Sequence, residues 1–215
     1  MAKLKTTSEA LEIIAILAET HPKPETELNY ETPFQLLIAV ILSAQTTDKQ
    51  VNKVTKELFK EFKRPEDIAG LKPKEFEPYI QGLGLYRNKS KYIVKTCNLL
   101  IKEYNSEVPD TRKELMKLSG VGRKTANVVL SSIYDEDTIA VDTHVFRVSN
   151  RLGFVNSDKV GVVEEGLMEL LPQKKWSDAH HWLIFQGRTF CKARNPQCQE
   201  CPVNNYCNYY SNSSS

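Results

Sequence analysis

Leu118-Ser-Gly-Val-Gly-Arg-Lys-Thr-Ala-Asn-Val-Val-Leu130 is the stretch on which the fold turns. Gly120 and Gly122 bracket one apolar residue, Val121, and a helical pattern starts directly behind them. Ala126, Val129, Leu130 and Ile133 fall at i, i+3, i+4 and i+7, which is one buried helix face. Upstream, Thr111 followed three residues on by Glu114 has the form of a capping box, opening a helix that ends near Leu118. The unit is helix, tight glycine turn, helix. Two glycines let the backbone take positive φ and approach a ligand with no Cβ in the way. The second helix then points its N–H groups and positive dipole end at any anion there. A DNA phosphate suits that site, held without any base being read.

Lys124 lies in the first turn of the second helix, with Asn127 and Ser131 continuing its polar side. The helix dipole, the neighbouring Arg123 and partial burial would each favour the free amine there. A free amine is what nucleophilic attack on a sugar carbon requires. The plainer account is a surface lysine that contacts phosphate, and this stretch alone favours it.

The C-terminal region carries a second pattern. Four of the five cysteines, Cys191, Cys198, Cys201 and Cys207, are spaced C-x6-C-x2-C-x5-C. Without a secretory signal such an array points to a metal site rather than to disulfides. The spacing leaves tetrahedral zinc and a [4Fe–4S] cluster about even. The fifth, Cys97, shares an apolar helical face with Ile93, Val94, Leu100 and Ile101 and is expected to be an inert core thiol.

Composition narrows the class. Of 215 residues, 40% are hydrophobic and 26% charged, as in a globular protein. No apolar run approaches the ~20 residues that span a bilayer, and the N-terminus lacks the apolar core of a signal peptide, so a cytoplasmic protein is expected. The formal charge of +2 argues against indiscriminate coating of DNA and leaves room for a local basic surface. Lys89, Lys91, Lys95, Lys102, Arg112, Lys113, Lys117 and Arg123 supply one between Arg87 and Lys124, although solvated helix surface would look the same.

The chain otherwise predicts helices throughout: Ser8–Thr20; an almost wholly apolar one from Phe34 to Leu42 behind Thr32-Pro33; one capped by Asp48; then Lys74–Gln81, Lys89–Tyr104, Asp158–Leu171 and Ser177–Phe190. No segment alternates with period two, so the class is all-α. Gly82-Leu-Gly84 echoes Gly120-Val-Gly122, and Leu85 follows it as an apolar tip able to wedge into a base stack. Asp142 heads a helix containing Val145, Val148 and Leu152 and ending at Gly153; an N-cap is its default role. An anion there would also stabilise a sugar cation. The tail from Asn208 to Ser215 is polar and expected to fray. His180, His181 and Trp182 are assigned to packing.

Three stretches, Leu118–Leu130, Ile139-Ala-Val-Asp-Thr-His-Val-Phe-Arg147 and Cys191–Cys207, occur in this order in the endonuclease III family of DNA glycosylases. The chain resembles that family from about Leu11 to Cys207, with Ser119 where the family usually has proline. The resemblance implies a two-lobed helix-hairpin-helix glycosylase fold with a C-terminal [4Fe–4S] loop held by Cys191, Cys198, Cys201 and Cys207. It implies a helical barrel over residues 26–136 and a discontinuous domain of 1–25 plus 137–215, with the cleft between them. Lys124 would be the nucleophile and Asp142 the supporting carboxylate. Gln45 would fill the gap left by a flipped nucleotide, Leu85 would wedge beside it, and Gly120, Val121, Gly122, Arg123 and His144 would hold the DNA backbone. Lys192 and Arg194 would add a phosphate contact.

The implied reaction is excision of oxidised pyrimidines from double-stranded DNA, followed by cleavage 3′ of the abasic site, by a monomer working on the nucleoid. Two rivals stand beside it. An adenine-mismatch glycosylase lacks the lysine and carries an extra C-terminal domain; a non-enzymatic damage sensor would have no use for Lys124 and Asp142 together.

Overall fold

Capping residues fix where most of the helices begin. The computed structural model describes residues 3–22, 27–134 and 136–213. Among these, every regular element is helical: α1 (Thr7–Thr20), α2 (Pro33–Ser43), α3 (Asp48–Glu61), α4 (Pro65–Ala69), α5 (Pro73–Ile80), α6 (Tyr86–Tyr104), α7 (Arg112–Leu115), α8 (Arg123–Tyr134), α9 (Thr143–Leu152), α10 (Val160–Leu170), α11 (Trp176–Thr189) and α12 (Asn208–Ser213), with two short 3-10 turns. Side-chain oxygens of Thr6, Thr32, Thr47, Thr111 and Asp142 each accept a first-turn N–H, as helix N-caps do. Thr47, not Asp48, caps α3: Asp48 is already helical, and its charge lies in the first turn. Asn105 (φ 49°) and Gly153 (φ 89°) end α6 and α9 in the left-handed conformation.

The chain folds as two units, one of Glu27–Asp135 and the other of Met1–Thr26 with Glu136–Ser215. The junction expected at 25/26 and the first residue of the Asp135–Asp137 turn lie outside the described residues.

In the first unit α2 is the centre. Every residue from Phe34 to Leu42 is buried, as an uninterrupted apolar run requires. α3, α6 and α8 pack on it, and α4 and α5 pack on α6. Cys97 is fully buried there, and burial pushes its thiol up to about 12. Ile101 departs from the expected face and is exposed. Lys89, counted from sequence with the basic surface, is buried at 2% exposure.

The second unit packs α1, α9, α10 and α11 around Ile13, Leu17, Val145, Val148, Val163 and Leu183. Nδ1 of His180 lies 2.6 Å from the Ala140 carbonyl, and the Trp182 indole donates to the His21 carbonyl at 3.1 Å, so both side chains serve packing. The tail differs from expectation: Asn208–Ser213 is a helical turn, not a frayed end. The Asn208 amide donates to the Lys3 carbonyl at 2.9 Å and seats on Gly153, where a Cβ would collide with it. Tyr209 stacks under the Arg151 guanidinium at 4.5 Å. Residues 214 and 215 lie outside the description.

Burial of α2 on all sides sets an expected cost. Leu37→Ala should destabilise the protein by about 2–5 kcal/mol through lost transfer energy and an unfilled cavity. Urea denaturation followed by far-UV circular dichroism measures it.

Candidate functional site

The glycine hairpin is held from below by α6. Gly120 takes φ +82°, and a Cβ on it would stand 3.0–3.2 Å from the Tyr92 side chain. Thr96, fully buried, donates to the Ser119 carbonyl at 3.0 Å. Ser119 therefore takes its restraint from α6 where a proline would have brought its own. Val121 is buried and its N–H bonds the Leu118 carbonyl at 3.2 Å, so its side chain shapes the turn from inside. Gly122 is different: it is exposed, and nothing lies within 4 Å of where its Cβ would be. Its carbonyl accepts the first α8 bond from Ala126 at 2.9 Å, so the open side of the turn coincides with the N-terminus of α8.

Arg123 and Lys124 in that first turn are both exposed, and the partial burial expected of Lys124 is absent. Asn127, expected on the polar side with Lys124, instead turns inward at 1% exposure and accepts from Arg112 Nε at 2.8 Å. That bond ties α7 to α8 across the hairpin.

The weak echo at Gly82-Leu-Gly84 extends to one backbone bond but not to the conformation, since Gly82 lacks the positive φ of Gly120. Leu83 N–H bonds the Ile80 carbonyl at 3.0 Å, as Val121 does to Leu118, and both central residues are buried. Here the left-handed residue is not glycine. Leu85 takes φ 58° and is 53% exposed, while Gln45 on the loop after α2 takes φ 55°. A left-handed non-glycine residue carries strain of about 1–3 kcal/mol. The two segments meet: a Cβ on Gly84 would lie 3.5 Å from the Gln45 carbonyl, Gln50 Nε2 donates to the Gly82 carbonyl at 3.1 Å, and Lys89 Nζ donates to Thr46 Oγ1 at 2.9 Å. An exposed, strained apolar tip therefore sits beside an exposed, strained glutamine.

Sequence reasoning missed Lys89 and Thr46. A signal was present: Lys89 stands four residues before Ile93 and eight before Cys97, on the core stripe of α6.

In the other unit Asp142 is the N-cap of α9, with Oδ1 accepting from the N–H groups of His144 and Val145, both at 2.8 Å. His144 is half-buried. Arg147 Nη2 lies 3.1 Å from His144 Nδ1 and 3.0 Å from the Gly187 carbonyl, and its Nε donates to the Cys191 carbonyl at 2.9 Å. The ring thus faces both a guanidinium donor and the Gly187 carbonyl, and its tautomer decides which of the two it bonds. Burial lowers the His144 pKa, which favours the neutral form. Gly187 makes the approach possible, since a Cβ there would stand 2.9 Å from the His144 ring.

The four C-terminal cysteines line one small cavity, together with Val148, Leu152, Gln186, Phe190 and α12 tyrosines. Among the described residues no three His, Cys, Asp or Glu side chains are grouped to hold a single ion. Four thiols around one cavity are the donor set that a tetrahedral zinc ion or an iron–sulfur cluster requires. Burial pushes the Cys201 and Cys207 thiols up, and a bound cationic centre reverses that preference. Gln186 Nε2 lies 3.1 Å from Cys201 Sγ and Arg151 Nη1 3.5 Å from Cys191 Sγ, donors that suit thiolates. Lys192 and Arg194 are exposed on the first inter-cysteine loop.

Comparison with known proteins agrees with these features. Residues 38–173 match the HhH-GPD superfamily of base excision DNA repair proteins, and residues 191–207 match the iron–sulfur binding domain of endonuclease III. The chain is 48% identical over 200 residues to endonuclease III of Rickettsia prowazekii, covering 93% of this chain and 94% of the relative. It is 47% identical over 202 residues to endonuclease III of Escherichia coli, covering 94% and 96%. A solved structure of a trapped endonuclease III–DNA covalent intermediate superposes with a TM-score of 0.94 at 48% identity, covering 99% of this chain and all (100%) of that one.

The lowered histidines make stability depend on pH. Burial depresses the pKa values of both His21 and His144 below the ordinary 6.5. As pH falls through that value the unfolded chain takes up protons that the folded one refuses. The contribution of these rings is complete above pH ~6.5 and is lost as pH drops toward the depressed folded values. The urea midpoint is expected to fall between about pH 7.5 and 5.5, with a shallower slope in a His21→Gln, His144→Gln variant.

Proposed function

The chain belongs to the endonuclease III family, and on that footing we propose that it excises oxidised pyrimidines from duplex DNA, with Lys124 as the nucleophile. It is a DNA glycosylase and abasic-site lyase of base excision repair that binds DNA and carries a [4Fe–4S] cluster. The observation that carries the further assignment is the exposed Lys124, in the first turn of α8 behind a hairpin whose Gly122 faces open space.

The hairpin supports the role of a backbone clip. Gly120 and Gly122 allow a phosphate to approach the N-terminus of α8, and Arg123 adds a cation. The damaged nucleotide leaves the stack at a cost of a few kcal/mol, less when the base is poorly stacked. Gln45 and Leu85, exposed side by side, fill the place it leaves. Lys124 Nζ, as the free amine, attacks C1′; the bond from C1′ to the base nitrogen breaks and the base departs with a proton. Asp142 supplies the anion that stabilises positive charge on the sugar. The C1′–O4′ bond then opens, O4′ taking up a proton as the nitrogen of Lys124 loses one, and the resulting Schiff base acidifies C2′; loss of that proton expels the 3′ phosphate before water hydrolyses the imine and frees Lys124.

His144, kept neutral by burial, is suited to meet a phosphate oxygen through a ring N–H. Cys191, Cys198, Cys201 and Cys207 are the four thiolates assigned to the cluster, with Gln186 and Arg151 donating to their sulfurs. When bound, the cluster ties the C-terminal loop into order that its few apolar residues would not provide. The enzyme is assigned as a monomer working on chromosomal DNA in the cytoplasm. No helix among the described residues is long and apolar enough to cross a membrane.

Borohydride reduction on a duplex containing thymine glycol or an abasic site tests the nucleophile. The wild type should form a covalent adduct and Lys124→Ala none. An adduct formed by the alanine variant at the wild-type rate would remove Lys124 from its role. Binding without any adduct by the wild type would favour a damage sensor.

A further inference from the structure

Lys89 is the least comfortable residue in the first unit. Its side chain is 2% exposed, no carboxylate is among the causes that shift its ionisation, and its Nζ has one hydrogen-bond partner among the described residues, Thr46 Oγ1 at 2.9 Å. Taking an ammonium out of water for one neutral hydroxyl costs several kcal/mol before compensation. Burial accordingly lowers its pKa. A methionine of similar length would fill the same space at no such cost, so stability gives no reason for a lysine here.

Its position gives one. Thr46 Oγ1, which accepts from Lys89, lies 3.4 Å from the Ala44 carbonyl and can donate to it in turn. The chain of bonds thus spans Gln45, the residue between Ala44 and Thr46, held at φ 55°. At its other end Lys89 is fixed in the first turn of α6, where its own N–H bonds the Leu85 carbonyl at 3.0 Å. Leu85 sits at φ 58° on that same turn. One residue is therefore bonded through its backbone to the strained leucine and through its side chain to the loop of the strained glutamine.

We propose that Lys89 is a positioning residue that clamps the Gln45 loop to the Leu85 turn, so that both side chains enter the duplex as one preformed wedge. This rests on the assignment of Gln45 and Leu85 to filling the vacated place in the stack. A wedge assembled before binding spares the complex the ordering of two separate loops. Local strain at both tips persists because the clamp opposes its relaxation. The effect belongs to duplex substrates: in single-stranded DNA there is no stack to enter and no partner base to displace.

The test compares Lys89→Met, Gln45→Ala and the double variant, each as cluster-loaded full-length protein. Single-turnover excision is measured on duplex thymine glycol DNA, and lyase cleavage on a single-stranded abasic oligonucleotide. Lys89→Met should slow the duplex reaction about tenfold or more, as misplacement of a positioning group does. Its loss on single-stranded DNA should be far smaller, and its Tm no lower than that of the wild type. Adding Lys89→Met to Gln45→Ala should cost less than about twofold further, because the two changes remove one device. If Lys89→Met fails to fold, Thr46→Ala removes the same bond and carries the same expectations.

Equal losses on duplex and single-stranded DNA, a duplex rate near the wild type, or multiplicative losses in the double variant would overturn the clamp. Gln45→Ala excising at the wild-type rate would instead overturn the wedge assignment beneath it.

Discussion

The close seat of Gly120 on Tyr92 is the contact from which the first unit's chemistry follows. A turn that approaches an aromatic ring this closely, at positive φ, admits no side chain. With Thr96 holding the Ser119 carbonyl, α6 fixes both the height and the direction of the hairpin. The direction of the hairpin fixes the start of α8, and so the place of the lysine in its first turn. α6 itself is anchored against α2, whose burial on every side leaves it little freedom to shift. The placement of an exposed amine thus depends on a buried helix.

The same unit uses its two glycine turns for opposite ends. In one turn the left-handed residue is Gly120, the first glycine of its pair, and the turn is relaxed; in the other it is Leu85, just behind the second glycine, and the turn is strained. The relaxed turn suits a surface that must hold a phosphate repeatedly without changing shape. The strained one presents an apolar side chain to solvent, which is unfavourable until something apolar covers it. Strain and exposure coincide at Leu85, beside a second left-handed residue at Gln45.

The second unit solves a different problem. Beyond α11 the chain has few apolar residues to bury, and what organises Cys191 to Cys207 is a ring of thiols around one cavity. Arg147 and Arg151 reach from α9 to the carbonyls of Cys191, Lys192 and Ala193, so the loop is laced to the helix that Asp142 caps. Order in the cysteine loop and the placement of the carboxylate are therefore coupled through a single helix.

Much of this was legible in the sequence, because the signals are local. Helix caps at Thr32, Thr111 and Asp142, the stop at Gly153, the almost wholly apolar α2 and the cysteine spacing are each readable within a few residues of chain. Other features were misread for want of tertiary information. Lys89 reads as surface in a basic run, yet helix packing buries it; Asn127 reads as polar face, yet Arg112 draws it inward; the tail reads as frayed, yet Gly153 provides a seat for Asn208. What the sequence determined by itself was the kind of each element and the chemistry of its side chains, since propensity, capping and ligand type act over a turn or two. What only the tertiary structure decided was which side chains share a place, because the bond from Lys89 to Thr46 crosses 43 positions and no local rule reaches that far.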